Sequence, residues 1–80
     1  MSFPARIRVS ALNEPGTLAA IADVIGTADG NIDNLRMLGR GRDFTEMEID
    51  LEVWNLKHLN RIVTGLREKR VVSQAERVNG

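Results

Sequence analysis

A strict alternation of side chains from Phe44 to Trp54 constrains the fold of this 80-residue chain more than any other feature. Successive side chains of a β-strand point to opposite faces, so this run predicts a strand with one buried and one solvated face. The residues predicted to face the core are Thr45, Met47, Ile49, Leu51 and Val53. Those predicted to face solvent are Glu46, Glu48, Asp50 and Glu52. Such a strand needs neighbouring strands and a second layer that covers its apolar face.

Two other segments show the spacing of three and four residues between apolar side chains that is typical of helices. The first is predicted from Thr17 to Asp29, directly after Pro15-Gly16, and Gly30 is expected to end it in a left-handed conformation. The second begins after Asn55, a favourable N-cap residue, and ends near Lys69. Their predicted apolar stripes are Leu18, Ile21, Ala22 and Ile25 in the first helix, and Leu56, Leu59, Ile62, Val63 and Leu66 in the second.

Three further segments are typical of strands: Ala5 to Leu12, Asn31 to Gly39 and Val71 to Val78. The glycine-rich segment from Gly39 to Asp43 predicts a hairpin turn between the second and third strands. The order of elements is therefore β-α-β-β-α-β. With right-handed crossovers, it predicts an α+β, ferredoxin-like sandwich. This fold has a four-stranded antiparallel sheet, in strand order 4-1-3-2, with both helices on one face.

The predicted strand order places the first strand beside the third. Arg6 and Arg8 are then expected to lie across from Glu48 and Asp50, on the face of the sheet that the helices leave open. Opposite charges there neutralise a row of carboxylates that would otherwise repel one another. We expect each pair to contribute about 0.2–1 kcal/mol.

The composition excludes several classes of function. Lys plus Arg and Asp plus Glu each number 11, so no long-range field draws the chain to nucleic acid or to an anionic membrane. The chain has no Cys and one histidine, His58, so it offers neither a zinc site nor a nucleophile with its base. We expect no catalytic residue, no metal and no cofactor, and we expect His58 to face solvent. The absence of a long apolar run predicts no membrane contact and favours a cytoplasmic protein.

Two loops carry the candidate binding site. The segment Leu12–Thr17 joins the first strand to the first helix, and Asn31 and Ile32 open the second strand. Amide groups at the start of a helix attract a carboxylate, and the side-chain amides of Asn13 and Asn31 can bind either charged group of an amino acid. For either asparagine alone, the alternative is a turn-forming role. Asn13 would then cap a turn, and Asn31 would adopt a left-handed conformation after Gly30.

The chain has a strand, the motif "NEPGTL", a helix, the motif "GNI" and a second strand, in that order. This arrangement resembles the ACT domain, a small-molecule sensing module. The segments "GNIDNLRM", "DFTEMEIDLEVWNLKHLNRI" and "AERVNG" are similar to the carboxyl-terminal ACT domain of Rel/SpoT-type bifunctional (p)ppGpp synthetase/hydrolases. The resemblance covers residues 5–78, which we assign to the domain, with a disordered N-terminal tail at 1–4 and a C-terminal end at 79–80. It implies a regulatory, non-catalytic segment of a larger stringent-response enzyme.

The resemblance also implies a ligand and partners. ACT domains commonly pair side by side and bind amino acids at the junction, between the Asn-x-Pro-Gly loop of one copy and the Asn-Ile strand start of the other. The residues that this selects for ligand binding are Leu12, Asn13, Gly16, Thr17, Asn31 and Ile32. Some serine-binding members have a histidine two places before the loop asparagine, where this chain has Ala11. We therefore expect a branched-chain amino acid (valine, isoleucine or leucine), a homodimer, and contacts with the upstream catalytic domains of the parent enzyme.

Two other classes of function stay open. RNA-recognition motifs share the order of elements, although the acidic row on the third strand would repel phosphate. The second alternative is a protein- or ribosome-docking module of the same enzyme without a small-molecule ligand, in which Arg40, Arg42 or the cluster 67–70 contacts RNA. For ligand binding we expect Arg40 and Arg42 to be dispensable, because their turn is predicted to lie far from Asn13 and Asn31.

Overall fold

The computed structural model describes residues 2–78 and has the predicted order of elements. The strands are β1 (Phe3–Leu12), β2 (Asn31–Arg40), β3 (Phe44–Val53) and β4 (Val72–Arg77), and the helices are α1 (Thr17–Thr27) and α2 (Leu56–Arg67). The strands form one sheet in the order β2-β3-β1-β4, with every neighbouring pair antiparallel. The predicted ferredoxin-like fold and its strand order are therefore confirmed.

The N-terminal boundary differs from the prediction. β1 begins two residues early, because Phe3 and Pro4 pair with the last residues of β3. The predicted disordered tail is therefore wrong for these two residues. Residue 1 and the C-terminal end at 79–80 lie outside the residues that the structure describes.

The core lies between the sheet and the two helices. On β3, all five side chains predicted to face it are buried, which confirms the alternation of that strand. The other strands and helices contribute the remaining buried apolar residues, which are Ile7, Val9, Ala11, Ile21, Ile25, Leu59, Ile62, Val63, Leu66, Val72 and Ala75. Removal of this apolar surface from water is the main force that holds the helices on the sheet.

α1 presents a different face to the core from the predicted one. Its buried residues are Thr17, Ile21 and Ile25. Leu18 is 50% exposed, and Ala22 is exposed as well. Thr17 is buried in place of Leu18 because its hydroxyl donates a hydrogen bond to the Leu12 carbonyl oxygen at 2.8 Å, which satisfies the polar group in the interior. The outer face of α1 is therefore unusually apolar for a surface helix.

α2 follows the predicted pattern closely. Asn55 caps it as expected, since Oδ1 accepts a hydrogen bond from the backbone N–H of His58 at 2.8 Å. Of the predicted apolar stripe, Leu56 at the first turn is 52% exposed and the other four residues are buried. α2 ends at Arg67, two residues earlier than predicted.

The connection from α1 to β2 corrects the prediction for Gly30. The left-handed residue after the helix is Asp29, with φ 62°, and Asn31 already belongs to β2. Glycine is required at position 30 for space, because a Cβ there would lie 2.8 Å from Ile62 Cδ1 and 2.9 Å from Ile25 Cγ2. The backbone at Gly30 therefore packs directly against both helices.

The open face of the sheet has the predicted ion pairs and one further cation. Arg6 Nε donates to Asp50 Oδ1 at 2.7 Å, and Arg8 Nη2 to Glu48 Oε2 at 3.4 Å. Arg36 of β2 also binds Glu48. Glu48 is buried, unlike the rest of its acidic row, because arginines from β1 and β2 cover it. The hydrogen bond from Arg36 holds the pKa of Glu48 below its usual value, and the bond from Arg6 does the same for the pKa of Asp50.

Candidate functional site

The loop from Leu12 to Thr17 is closed by hydrogen bonds to the carbonyl group of its first residue. The Leu12 carbonyl oxygen accepts hydrogen bonds from the Thr17 hydroxyl at 2.8 Å and from the Glu14 N–H at 3.1 Å. Gly16 has φ 86°, a left-handed conformation that costs little only for glycine. A Cβ at Gly16 would meet no atom within 4 Å, so open space lies beside the backbone at this point.

The start of α1 suits an anion. No side chain caps its N-terminus, and its first turn carries no acidic residue. N–H groups in the first turn of a helix lack intrahelical acceptors and carry a partial positive charge. A carboxylate placed beside Gly16 would therefore accept hydrogen bonds from these amides.

Asn13 joins this loop to the hairpin turn between β2 and β3. Its Nδ2 donates to the Gly41 carbonyl oxygen at 2.9 Å, and its backbone N–H donates to the Asp43 carbonyl oxygen at 2.8 Å. The expectation that this turn lies far from Asn13 is therefore wrong, because the two loops are in direct contact. Asn13 also does not cap its own turn, since its side chain reaches across to another loop. This contact follows from the end of β1 lying beside the start of β3, which the predicted strand order already implied.

A third loop meets the same end of the sheet. Arg70, which lies between α2 and β4, binds Glu14 Oε1 through Nη2 at 2.6 Å. The backbone N–H of Leu12 donates to the Val71 carbonyl oxygen at 2.8 Å. Sequence reasoning placed Arg70 in a basic cluster and missed its partner, because 56 residues separate it from Glu14.

Asn31 and Ile32 lie at the other end of the sheet. Asn31 is exposed, and its Nδ2 donates to Asp33 Oδ1 at 3.3 Å. Ile32 is half-buried and packs against the core. Only part of the Ile32 side chain is therefore free to contact a ligand.

The two halves of the predicted site do not meet within one chain. Leu12 pairs with Phe44 at the start of β3, whereas Asn31 pairs with Glu52 near its end. Eight residues of an extended strand separate these positions, a distance of about 26 Å. A ligand as small as an amino acid cannot bridge this distance. The two loops are therefore too far apart to form one site within a single protomer.

His58 corrects another prediction, because it is only 4% exposed. Its ring stacks on Trp54 with 4.4 Å between ring centroids. Nδ1 lies 2.9 Å from the Trp54 backbone nitrogen, and Nε2 lies 2.6 Å from the Ala28 carbonyl oxygen. A signal for this burial was present in the sequence, since His58 precedes the buried Ile62 by four residues and so lies on the same face of α2.

An open groove of about 1130 Å³ lies between α1 and α2, away from the predicted site. Trp54 and His58 line it at one end, and Gly65 and Glu68 at the other. None of the six predicted ligand-binding residues lines this groove. Its size alone does not connect it with the chemistry of the two loops.

Neither helix in residues 2–78 has the length and apolar character that crossing a bilayer requires. Over the same residues, no group of three His, Cys, Asp or Glu side chains converges as a metal site would require.

Comparison with known proteins agrees with this fold. The family model of the ACT domain matches residues 1–77. The chain is 60% identical over 78 residues to the GTP pyrophosphokinase rsh of Brucella ovis, a match that covers 98% of this chain and 10% of that protein. The homologue from Brucella suis gives the same values. The chain therefore spans about a tenth of the length of these curated relatives.

Solved structures show the same fold. The crystal structure of the ACT domain from the GTP pyrophosphokinase of Chlorobium tepidum has a TM-score of 0.82 at 24% identity, and the match covers 98% of this chain and 100% of that one. A homoserine dehydrogenase from Thiobacillus denitrificans has a TM-score of 0.79 at 18% identity, covering 98% of this chain and 17% of the enzyme. At these identities the two structures establish the fold alone. The family assignment rests on the match of the ACT domain family model to residues 1–77. The chain therefore belongs to the ACT domain family.

Proposed function

We propose that this chain is an amino-acid-sensing regulatory domain, and that a branched-chain amino acid binds between two copies of it. Its parent would be a cytoplasmic Rel/SpoT-type enzyme whose (p)ppGpp synthetase and hydrolase activities the domain controls. The 60% identity to a segment of GTP pyrophosphokinase rsh supports this parent. The observation that carries the proposed site is the position of its two halves at opposite ends of the sheet. Asn31 opens the edge strand β2, and Asn13 of the other half contacts the hairpin turn that follows β2.

A side-by-side dimer would bring the two halves together. When two copies of β2 pair antiparallel, the start of one strand lies near the end of the other. The end of β2 leads into the hairpin turn, and Gly41 of this turn contacts Asn13. Asn31 of one protomer would then face the Leu12–Thr17 loop of its partner. Each dimer would hold two equivalent sites.

The surface around β2 supports such pairing. Leu18 of α1 and Met37 and Leu38 of β2 are large apolar side chains that are about 40–50% exposed. α1 contacts β2, so these side chains lie in one half of the molecule. An exposed edge strand with apolar neighbours favours association with another strand, since pairing satisfies its free backbone groups and buries the apolar surface.

The loop chemistry suits both charged groups of an amino acid. The uncapped start of α1 would hold the carboxylate beside Gly16. Asn13 uses its Nδ2 on Gly41, and its Oδ1 remains an acceptor that suits an ammonium group. Ala11 is fully buried, so β1 offers no polar side chain at that position for a serine hydroxyl. This favours an aliphatic ligand side chain, which Leu12 and the exposed part of Ile32 would contact.

An NMR shift titration with valine, isoleucine, leucine and serine tests the proposal. We expect valine to shift the amides of the Leu12–Thr17 loop and of Asn31 and Ile32. Asn13→Ala should weaken valine binding at least tenfold, since a lost hydrogen bond to a charged group costs about 1.5–3 kcal/mol. Asn60→Ala is a matched control, because this exposed asparagine lies on α2 and lines the separate groove.

Two results would contradict the proposed site. Valine shifts confined to other residues would do so, and so would equal valine affinity of Asn13→Ala and the parent. The docking module, which binds protein or ribosome and no small molecule, would then be the better description of this domain.

A further inference from the structure

We propose that the groove between α1 and α2 binds an amphipathic helix of the parent enzyme, with an acidic flank against α2 and a basic flank against α1. This inference rests on the proposed function, because it names the kind of segment that the regulatory domain contacts in its own enzyme. None of the residues that line the groove belongs to the ligand loops or to β2. The proposed pairing of two domains through β2 therefore leaves the groove free.

The groove is long enough for about three turns of a helix. Its lining residues on the side of α2 extend from Lys57 to Glu68 at the C-cap, a distance of about 16 Å. α1 runs in the opposite direction along the other wall. The end of α1 lies beside the start of α2, since Arg61 Nη2 donates to the Ala28 carbonyl oxygen at 3.3 Å. Further along, Val24 of α1 lies beside Gly65 of α2.

The walls of the groove favour a helix over an extended segment. Along α1 and α2 the backbone groups bond within their own helix, so the walls offer no row of free donors and acceptors that an extended segment could pair with. A helix satisfies its own backbone groups and needs no such row. Ala28 and Gly65, which line the groove, are also small, so they allow another helix to approach closely.

The two walls carry opposite charge. The charged residues on the wall of α1 are Asp23 and Asp29, and those on the wall of α2 are Lys57, Arg61, Glu68 and Lys69. All six are exposed, and none of them forms an ion pair within residues 2–78. An acidic wall therefore faces a wall with an excess of basic residues, and no ion pair crosses the groove between them.

This distribution of charge specifies the occupant. A helix with basic residues toward α1 and acidic residues toward α2 would pair with both walls and be held in one orientation. Lys57 and Arg61 are four residues apart and lie on the same face of α2. The acidic flank of the docked helix is therefore expected to have two carboxylates three or four residues apart.

Trp54 provides an apolar anchor at one end of the groove. Its side chain is 53% exposed, and its ring stacks on His58 with 4.4 Å between ring centroids. His58 is itself held by hydrogen bonds to the Trp54 backbone N–H and to the Ala28 carbonyl oxygen. Because the indole is already positioned, its burial by a partner costs little conformational entropy. Tryptophan is also among the residues that most often carry the binding energy of an interface.

The parent enzyme is the source that we infer for this helix. A second copy of the domain does not fill the groove with the same face, because two facing grooves leave a space between them. The curated relatives are about ten times longer than this chain, so most of their length can supply a helix. Asp29 of the groove wall lies two residues before Asn31 of the ligand half-site. A helix of the regulated enzyme would thus contact the segment that leads to the ligand.

Photo-cross-linking in the full-length enzyme, without added valine, tests the inference. A benzophenone amino acid replaces either Thr64, an exposed groove residue of α2, or Gln74, an exposed residue of β4 outside the groove. From position 64 we expect a cross-link to a helical segment outside these 80 residues, with acidic residues along one flank and basic residues along the other. Position 74 should not give this cross-link.

Charge reversal tests how the helix is recognised. Lys57→Glu combined with Arg61→Glu should lower the yield of the cross-link from position 64 about tenfold, and lysines in place of the acidic residues on the cross-linked flank should restore it. Arg40→Glu combined with Arg42→Glu is the matched control, because it makes the same change of charge on the exposed hairpin turn. This control should leave the yield within about twofold.

Trp54→Ala leaves the charges of both walls in place and removes the anchor. It should also lower the yield about tenfold. The amide NMR spectrum of the 80-residue chain with each substitution shows whether that variant folds, and the position of the cross-link in the parent does not depend on any variant.

Three results would overturn the inference. The first is a cross-link from position 64 that reaches only a second copy of this domain, only another protein or only RNA. The second is the absence of any cross-link from position 64 that position 74 does not also give. The third is an unchanged yield after charge reversal in a folded variant. A failure of the chain to bind valine would instead contradict the proposed function, because the cross-link is measured without valine.

Discussion

The two edges of the sheet are supported in different ways. The half that contains β4 and α2 is closed: α2 has an Asn55 cap, Val72 and Ala75 of β4 are buried, and Arg67 Nε donates to the Ala75 carbonyl oxygen at 2.8 Å. The half that contains β2 and α1 is open. α1 has no side-chain cap, and no residue of β2 is fully buried.

This difference separates stability from function. The closed half has the side-chain caps and buried contacts that stabilise a small domain. The open half keeps uncapped amides at the start of α1 and three exposed apolar side chains, Leu18, Met37 and Leu38. The closed half also has an edge strand, β4, and one exposed apolar side chain on α2, Leu56. The features of the open half cost stability in an isolated protomer and are useful when a ligand or a second copy covers them.

We expect the largest loss of stability from a substitution in the core of the closed half. Leu66→Ala should lower the free energy of unfolding by about 2–5 kcal/mol, because Leu66 is fully buried and its truncation leaves a cavity. Leu18→Ala in α1 should change it by less than about 0.5 kcal/mol at concentrations where the chain is monomeric. Urea unfolding of both variants measures the contrast. Equal losses would show that the two halves do not differ as described.

We expect a smaller loss of stability from a substitution at the N-cap of α2. Asn55→Ala removes the side chain that accepts the His58 N–H, so the free energy of unfolding should fall by about 1 kcal/mol. Asn13→Ala should have a smaller effect on stability, since Asn13 is exposed and caps no helix, but it should weaken valine binding. Urea unfolding with and without valine distinguishes the two variants. A larger stability loss for Asn13→Ala would reverse the comparison.

The smallest loss of stability is expected on lowering the pH, and β2 should be the first strand to change. The pKa values of Glu48 and Asp50 are lowered in the folded chain, so the unfolded chain binds more protons as the pH falls. Their contribution is fully present above the ordinary carboxyl pKa of about 4, and it is lost as the pH falls through the folded values. Arg36 connects β2 to Glu48, whereas β4 has no such ion pair among the described residues.

An NMR pH titration tests this prediction. Amide signals of β2 should change at a higher pH than those of β4, and Glu48→Gln should remove most of the difference. If β4 responds first in the parent, then Arg36 and Glu48 do not hold the open edge.

Much of the fold was predictable because it depends on local periodicity. The alternation of β3, the Asn55 cap and the strand order follow from patterns that one sequence displays. Two errors have physical causes in tertiary contacts. Thr17 replaced Leu18 in the core because a hydroxyl found a carbonyl partner, and Gly30 was required for helix contact and not for its backbone angle.

The candidate site was less predictable. The sequence identified the two loops, but their separation depends on strand pairing between Leu12 and Phe44 at one end and between Asn31 and Glu52 at the other. The partners of Asn13 in the hairpin turn are also distant in sequence. The prediction that His58 faces solvent placed it on the side of α2 away from Leu59 and Ile62, whereas the hydrogen bonds that permit its burial come from Trp54 and Ala28.

The central claim is that one ligand site needs two protomers, and a mixing experiment tests it most directly. Asn13→Ala and Asn31→Ala should each bind valine at least tenfold more weakly than the parent. In a heterodimer of the two variants, one junction combines an intact Asn13 with an intact Asn31, and the other junction has neither.

Calorimetry on an equal mixture of the two variants should therefore recover sites of parental affinity, at about a quarter of the parental number because half of the dimers are mixed. Neither variant alone should show these sites. A mixture that binds valine no better than its two components would contradict a site shared between protomers.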